Sequence, residues 1–205
     1  MRKLVVTEFV TLDGVMEDPG GSEGRPFGGW AFKADRGPEG DKYKLDELMT
    51  ADVMLLGRKT YDGFAAAWPS RDDEQGFARK MNTMRKAVVS STLTDPAWEN
   101  TQVISLDDVE ALRAEDGGDI LVAGSHQLVT ALLERDLVDE VRLMVFPIIA
   151  GDGKKLFDTS LPQVGGRQDR GDQDGAARDQ EPDHTSDHSR SWARSMPAPR
   201  PSRRP

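Results

Sequence analysis

Apolar residues in this chain fall into short uninterrupted runs separated by amphipathic or polar stretches. The first run, Leu4 to Leu12, is rich in β-branched and aromatic residues and predicts a strand that ends at the turn Asp13-Gly14. From Glu17 to Gly40 glycine, proline and charge dominate, broken by Phe27, Trp30 and Phe32. A loop of that length is functional or disordered, and its aromatics fit either a lid over a ligand or plain anchors. A helical pattern opens at Asp41 and runs through Tyr43, Leu45, Leu48 and Met49. Ala51 to Leu56 is then a short buried strand, followed at once by Gly57-Arg58-Lys59-Thr60-Tyr61 at the start of a helix. A charged helical segment from Asp72 to Asn82 leads into the strand Lys86 to Ser90, which closes with Ser90-Ser91-Thr92. Thr101 to Ile104 is another short strand, and Ser105-Leu106-Asp107-Asp108 has the form of a helix start with a serine cap and an acid three residues later.

The stretch from Asp119 to Phe157 organises the rest. Ile120 to Ala123 is an apolar run ending at Gly124-Ser125; a helical pattern through Leu128, Leu132 and Leu133 follows, and then a second apolar run. That is a strand–crossover–strand unit, which in open α/β sheets puts its turn and helix start at the carboxyl edge where ligands bind. Gly124-Ser125 is therefore the candidate centre of a phosphate or dinucleotide site. Helices and strands alternate throughout, so the expected class is α/β. The alternating Val141, Leu143 and Val145, followed by Pro147-Ile148-Ile149, fit either the interface strand of a homodimer or a strand buried on both faces of one subunit.

The texture changes after Val164. No Ile, Leu, Val, Phe or Tyr occurs from Gly165 to Pro205, so that segment cannot offset its ordering entropy by burial. The expected organisation is a domain over 1–164 and a disordered tail over 165–205. A net charge of −9 without a basic stripe argues against a nucleic-acid partner. The chain has no cysteine, which removes disulfides and thiolate chemistry together. Glu8 interrupts the amino terminus before a signal-peptide core can form, and no stretch approaches a membrane span. A cytoplasmic protein without a membrane partner is the expectation.

Gly57-Arg58-Lys59-Thr60, between a strand and a helix, offers amides, two cations and a hydroxyl to a phosphate. A capped helix with a solvated basic pair is the plainer alternative. Ser90 and Ser91 at a strand end supply further hydroxyls. Gly151-Asp152-Gly153 lacks P-loop spacing and reads as a tight turn. His126, at a helix start, reads as a local hydrogen-bonding residue. His184 and His188 have metal-compatible spacing but lie in the tail, so no metal site is expected. Asp41 is either a pocket carboxylate that orients and protonates a heterocycle or a helix-start acid favoured by the dipole.

The order Leu12-Asp13-Gly14, Gly57-Arg58-Lys59-Thr60-Tyr61, Val89-Ser90-Ser91, Ala123-Gly124-Ser125, Leu137-Val138-Asp139-Glu140 and Pro147 with Gly151-Asp152-Gly153 resembles the dihydrofolate reductase-like superfamily. Within it the chain is most similar to the stand-alone form of the carboxy-terminal reductase domain of the bacterial riboflavin-biosynthesis deaminase–reductase. The resemblance spans roughly Met1 to Leu161 and implies a mixed, mostly parallel central sheet with flanking helices that binds NADPH. It implies that Gly57, Thr60 and Ser90 contact the cofactor and that Gly124 and Ser125 form the turn beside the nicotinamide and pyrophosphate. Arg58, Lys59 and Ser91 join that cofactor set, with Asp13, Gly14 and Trp30 as substrate contacts and Asp41 as the catalytic candidate. The implied activity is reduction of a pterin-like or ribosylaminopyrimidine-like heterocycle by a homodimer. The alternatives are a dihydrofolate reductase proper and a non-catalytic nucleotide-binding protein on the same fold. Three departures bear on these. Ser125 stands where dihydrofolate reductases usually have a second glycine, and Ala123 stands where riboflavin reductases often have an acid. The terminal apolar strands of the family have no counterpart after Val164.

Overall fold

The computed structural model describes residues 1–157, all within one compact unit, Met1–Val164. The expected tail and the missing terminal strands lie outside the described residues. Six strands form one sheet: β1 (Leu4–Thr11), β2 (Ala51–Gly57), β3 (Arg85–Val89), β4 (Thr101–Ile104), β5 (Asp119–Ala123) and β6 (Glu140–Phe146). Their order is β4-β3-β2-β5-β1-β6, and every neighbouring pair is parallel. Among the described residues the antiparallel component of the expected mixed sheet is one isolated bridge, Val15 to Lys155. Parallel strands are covered on both faces, which is why Leu4–Val6 of β1, Val53–Leu56 of β2 and Ile120–Ala123 of β5 read as continuous apolar runs.

Among the described residues five α-helices connect them: α1 (Gly37–Thr50), α2 (Arg58–Ala67), α3 (Phe77–Thr83), α4 (Val109–Ala114) and α5 (His126–Glu134). On one face Leu4, Val6, Leu55 and Val122 pack against Val109 and Leu112 of α4 and against Leu128, Val129 and Leu132 of α5. On the other, Val5, Met54, Leu56 and Leu121 meet Leu48 of α1, Tyr61 of α2 and Met81 of α3. The chain thus leaves β1 to the β2 side through α1 and leaves β5 to the β6 side through α5. This reversal makes the carboxyl ends of β1, β5 and β2 the topological switch point.

Some boundaries differ from the sequence expectation. α1 starts at Gly37 with Pro38 in its first turn, four residues ahead of Asp41. The charged segment from Asp72 becomes helical only at Phe77, because Asp73 accepts the Phe77 and Ala78 N–H groups at the helix start. At α4 the cap is Asp108, whose carboxylate accepts the Ser105 N–H at 2.8 Å and the Ser105 hydroxyl at 2.7 Å. β6 is the edge strand of the described sheet; Arg142 and Met144 are half-buried, while Val141, Leu143 and Val145 are 38, 41 and 54 % exposed.

Candidate functional site

Because β2 pairs with β5, with Leu55 opposite Val122, the turns that follow the two strands stand side by side. Gly57 caps α2 and Ser125 caps α5, so two helix starts with free amides meet at one point of the carboxyl edge. The Ser125 hydroxyl accepts the Gly57 N–H at 2.9 Å and donates to Thr60 Oγ1 at 2.7 Å. Gly57 must be glycine here, since a Cβ would lie 2.7 Å from Ser125 Oγ. Gly124 has φ +68, and a Cβ on it would meet Thr60 Cγ2 at 3.0 Å. Ser125 takes φ 73, a glycine-like conformation although the residue is serine, and its two hydrogen bonds offset the strain of about 1–2 kcal/mol. Gly57, Thr60, Gly124 and Ser125, the core of the predicted cofactor set, are therefore one structural unit.

The remaining predicted residues divide. Arg58 Nε donates to both oxygens of Asp62 at 2.9 Å, and Lys59 pairs with Glu23 of the long loop. Both cations sit at the rim of the α2 start, already paired. Ser90 follows Val89, which is in register with Gly57, so it lies at the same sheet edge. Its hydroxyl accepts the Thr92 and Leu93 N–H groups at 3.2 and 3.1 Å and closes its own turn, and Ser91 is exposed beside it.

The predicted substrate contacts have other partners. Asp13 accepts the Thr11 hydroxyl at 2.6 Å, the Ala150 N–H at 3.1 Å and the Gly151 N–H at 2.9 Å. These bonds, the Thr11 hydroxyl first, hold its carboxyl down at about 2, and they clamp the turn Asp13-Gly14 to the Gly151 loop. Gly14, at φ +81, closes the turn by donating its N–H to Thr11 O at 2.9 Å. Trp30 is 1 % exposed in a short 3-10 helix, Trp30–Phe32, donates Nε1–H to Glu17 O at 2.9 Å and meets the Phe146 ring edge-on at 5.3 Å. It anchors the long loop in the core and is not a closing lid, which corrects the expectation for that residue. Asp41 is exposed and paired with Arg36 at 2.6 Å, so the pocket-carboxylate role assigned to it is not the one its position allows.

Acids that the sequence reading did not single out occupy the interior instead. Glu47 of α1 is buried; it accepts the Thr7 hydroxyl at 2.9 Å, pairs with Lys44 and faces Arg142 of β6 at 3.5 Å. Lys44 also donates to Thr7 Oγ1 at 2.6 Å and lies 5.4 Å above the Phe9 ring. Burial lowers the Lys44 ammonium from its ordinary range while Glu47 opposes the shift. Glu8 lies on β1 one residue past Thr7, which is in register with Ala123, and so beside Gly124. It is 5 % exposed, and its Oε1 is enclosed without a hydrogen-bond partner. Burial pushes its carboxyl up to about 8, against the pull of the Lys44 ammonium and the Gly124 N–H. The signal was legible: Glu8 is the one ionisable residue in the strand run LVVTEFVT.

Among the described residues no cluster of His, Cys, Asp or Glu could hold a metal, and no helix is long and apolar enough to cross a membrane.

Comparison with known proteins places this geometry. Two uncharacterized proteins of Bacillus subtilis (strain 168) are similar in sequence. YyaP is 29 % identical over 163 residues, covering 76 % of this chain and 80 % of its own length. YwjB is 26 % identical over 161 residues, covering 76 and 83 %. A candidate riboflavin biosynthesis protein of Shewanella sp. PV-4 has the same fold, with a TM-score of 0.59, 23 % identity, and 79 and 86 % of the two chains covered. Schistosoma mansoni dihydrofolate reductase matches at a TM-score of 0.47 and 17 % identity over 80 and 81 % of the chains. The fold is α/β with a mostly parallel sheet, as the sequence implied, and is shared with the Shewanella protein. The family model of the RibD C-terminal domain matches residues 2–170, and the chain belongs to that family.

Proposed function

We propose that the protein is an NADPH-dependent reductase of the riboflavin-biosynthesis type, acting on a pterin-like or ribosylaminopyrimidine-like heterocycle. The observation that carries this reading is the hydrogen-bonded union of Gly57, Thr60 and Ser125, with Gly124 close against Thr60, at the switch point of the sheet. The donor set fits a dinucleotide: two helix starts offer amides to the pyrophosphate, and the two glycines leave room for a close backbone approach. NADPH, when bound, supplies the hydride. Arg58 and Lys59 attract its phosphates by exchanging Asp62 and Glu23 for them, and Ser90 and Ser91 flank the site on β3. The substrate ring is read as lying over Phe9, between β1 and α1, where Lys44 and Arg36 stand 5.4 and 5.6 Å from the ring centre.

The test is NADPH titration by fluorescence, followed by NADPH oxidation with a panel of folates, pterins and aminopyrimidines. Absence of any cofactor binding by folded protein would sink the reading. A second reading, a non-catalytic nucleotide-binding protein, is favoured by the paired cations and by the intramolecular partners that Asp13, Trp30 and Asp41 already hold. Binding without turnover across the panel would select it.

We also read β6 as a homodimer interface, in a cytoplasmic protein. Its exposed Val141, Leu143 and Val145 form an apolar stripe on the edge strand of the described sheet. A monomeric mass by light scattering at micromolar concentration would contradict the dimer.

A further inference from the structure

Burying a carboxyl in a sheet covered on both faces is unfavourable unless bonds replace its water. Glu8 is such a carboxyl, and its surroundings supply little. From β6 its register neighbour is Leu143. From α5 the buried residues are Leu128, Val129 and Leu132, all apolar. From α1, which packs on the Thr7 and Phe9 side of β1, the Lys44 ammonium acts on it through charge alone, being bonded to Glu47 and Thr7. From the β5–α5 turn comes the Gly124 N–H. Oε1 has no partner at all. Glu8 is thus a lone enclosed acid directly behind the turn that joins Gly57, Thr60 and Ser125.

We propose that Glu8 is a positioning residue of the nucleotide site: uncharged, it seats the Gly124–Ser125 turn, and ionised, it repels the anion received there. This rests on the NADPH reading given above. Burial keeps the carboxyl protonated up to about pH 8, so at neutral pH the turn presents amides with no negative charge behind them. The linkage has a definite sign. An anion that binds better when Glu8 is uncharged raises the Glu8 midpoint, and by reciprocity ionisation of Glu8 weakens the anion's binding. The dissociation constant for NADPH is therefore flat below the free-protein midpoint and rises above it. A unit charge within several ångströms of a phosphate in a partly screened site gives an effect on the order of tenfold.

The experiment is NADPH titration of the wild-type protein and of Glu8→Gln, from neutrality to well above the Glu8 midpoint of about 8. Glutamine keeps the shape and cannot ionise, and titration of any other group moves both profiles alike. The expected result is a wild-type constant that rises about tenfold while the variant lacks that rise. Parallel profiles overturn the proposal. If Glu8→Gln does not fold, carbon-13 NMR of the wild-type glutamate carboxyls gives the same answer: the one midpoint near 8 must move upward on saturation with NADPH, and an unmoved midpoint overturns it. Folded wild-type protein that binds no NADPH at neutral pH overturns the cofactor reading itself, a result visible before the pH is varied.

Discussion

The Ser125 hydroxyl donates to Thr60 Oγ1 at 2.7 Å across 65 residues of sequence. One hydroxyl thereby locks the start of α5 to the start of α2, since the same oxygen accepts the Gly57 N–H. We predict that Ser125→Ala leaves the Gly57 N–H unpaired and costs about 1–3 kcal/mol in urea unfolding. Thr60→Val removes only the second bond and should cost less, and the double variant should fall short of the sum. NADPH affinity, followed by fluorescence, should weaken in both single variants. Additive losses would mean that the two residues do not act through one hydroxyl.

Gly124→Ala tests the turn itself. Its φ of +68 disfavours any L side chain, and the new methyl would press on Thr60 at 3.0 Å. A loss of about 1–2 kcal/mol is expected from the backbone term, with cofactor affinity reduced because Thr60 must shift. Unchanged thermal stability would contradict the left-handed geometry.

Asp13 gives an acid limb to the stability curve. Its folded carboxyl titrates at about 2 rather than 3.8, so its contribution is present above 3.8 and lost as pH falls through about 2. Asp13→Asn cannot accept the Thr11, Ala150 and Gly151 donors in the same way. The variant should be less stable at neutral pH and should show a shallower loss of stability on acidification across that window, measured by denaturation at each pH.

Lys86 is fully buried and donates to the carbonyls of Asn82, Met84 and Glu99 at 2.6, 2.9 and 3.1 Å, under the Trp98 ring at 4.3 Å. All three ammonium protons are used, so the residue ties the approach to β3 to the approach to β4. Lys86→Met keeps the length and removes every donor. A loss of about 1–3 kcal/mol is expected, with the tryptophan emission of Trp98 shifted; a variant as stable as the parent would show that the carbonyls find other partners.

Asp41→Asn should change stability by no more than about 0.5 kcal/mol, because the carboxylate it replaces is exposed and its partner Arg36 is half-exposed. NADPH affinity should be unaffected. A large loss in either measurement would return Asp41 to the site.

The strands were legible from sequence because parallel strands are buried on both faces, and Leu4–Val6, Val53–Leu56 and Ile120–Val122 must then be apolar without a break. Gly57 and Gly124 were legible for a related reason. A close approach or a positive φ admits glycine with little else, so the requirement is written in the residue itself. Ser125 shows the limit of that rule, since it holds a glycine-like φ that only its bonds to Thr60 and Gly57 sustain. The placing of the acids needed the tertiary structure. Asp41 stands seven residues before the buried Leu48 and so shares its helix face, yet it is exposed while Glu47 is enclosed. Helical spacing sets direction, whereas burial depends on what stands opposite: β1 and Arg142 for Glu47, Arg36 and solvent for Asp41. Trp30 likewise fitted a lid or an anchor equally well until the Glu17 carbonyl and the Phe146 ring decided for the anchor. Local chemistry fixed which turns could receive a ligand. The order β4-β3-β2-β5-β1-β6, a matter of long-range strand pairing, decided that Glu8 would lie behind one of them.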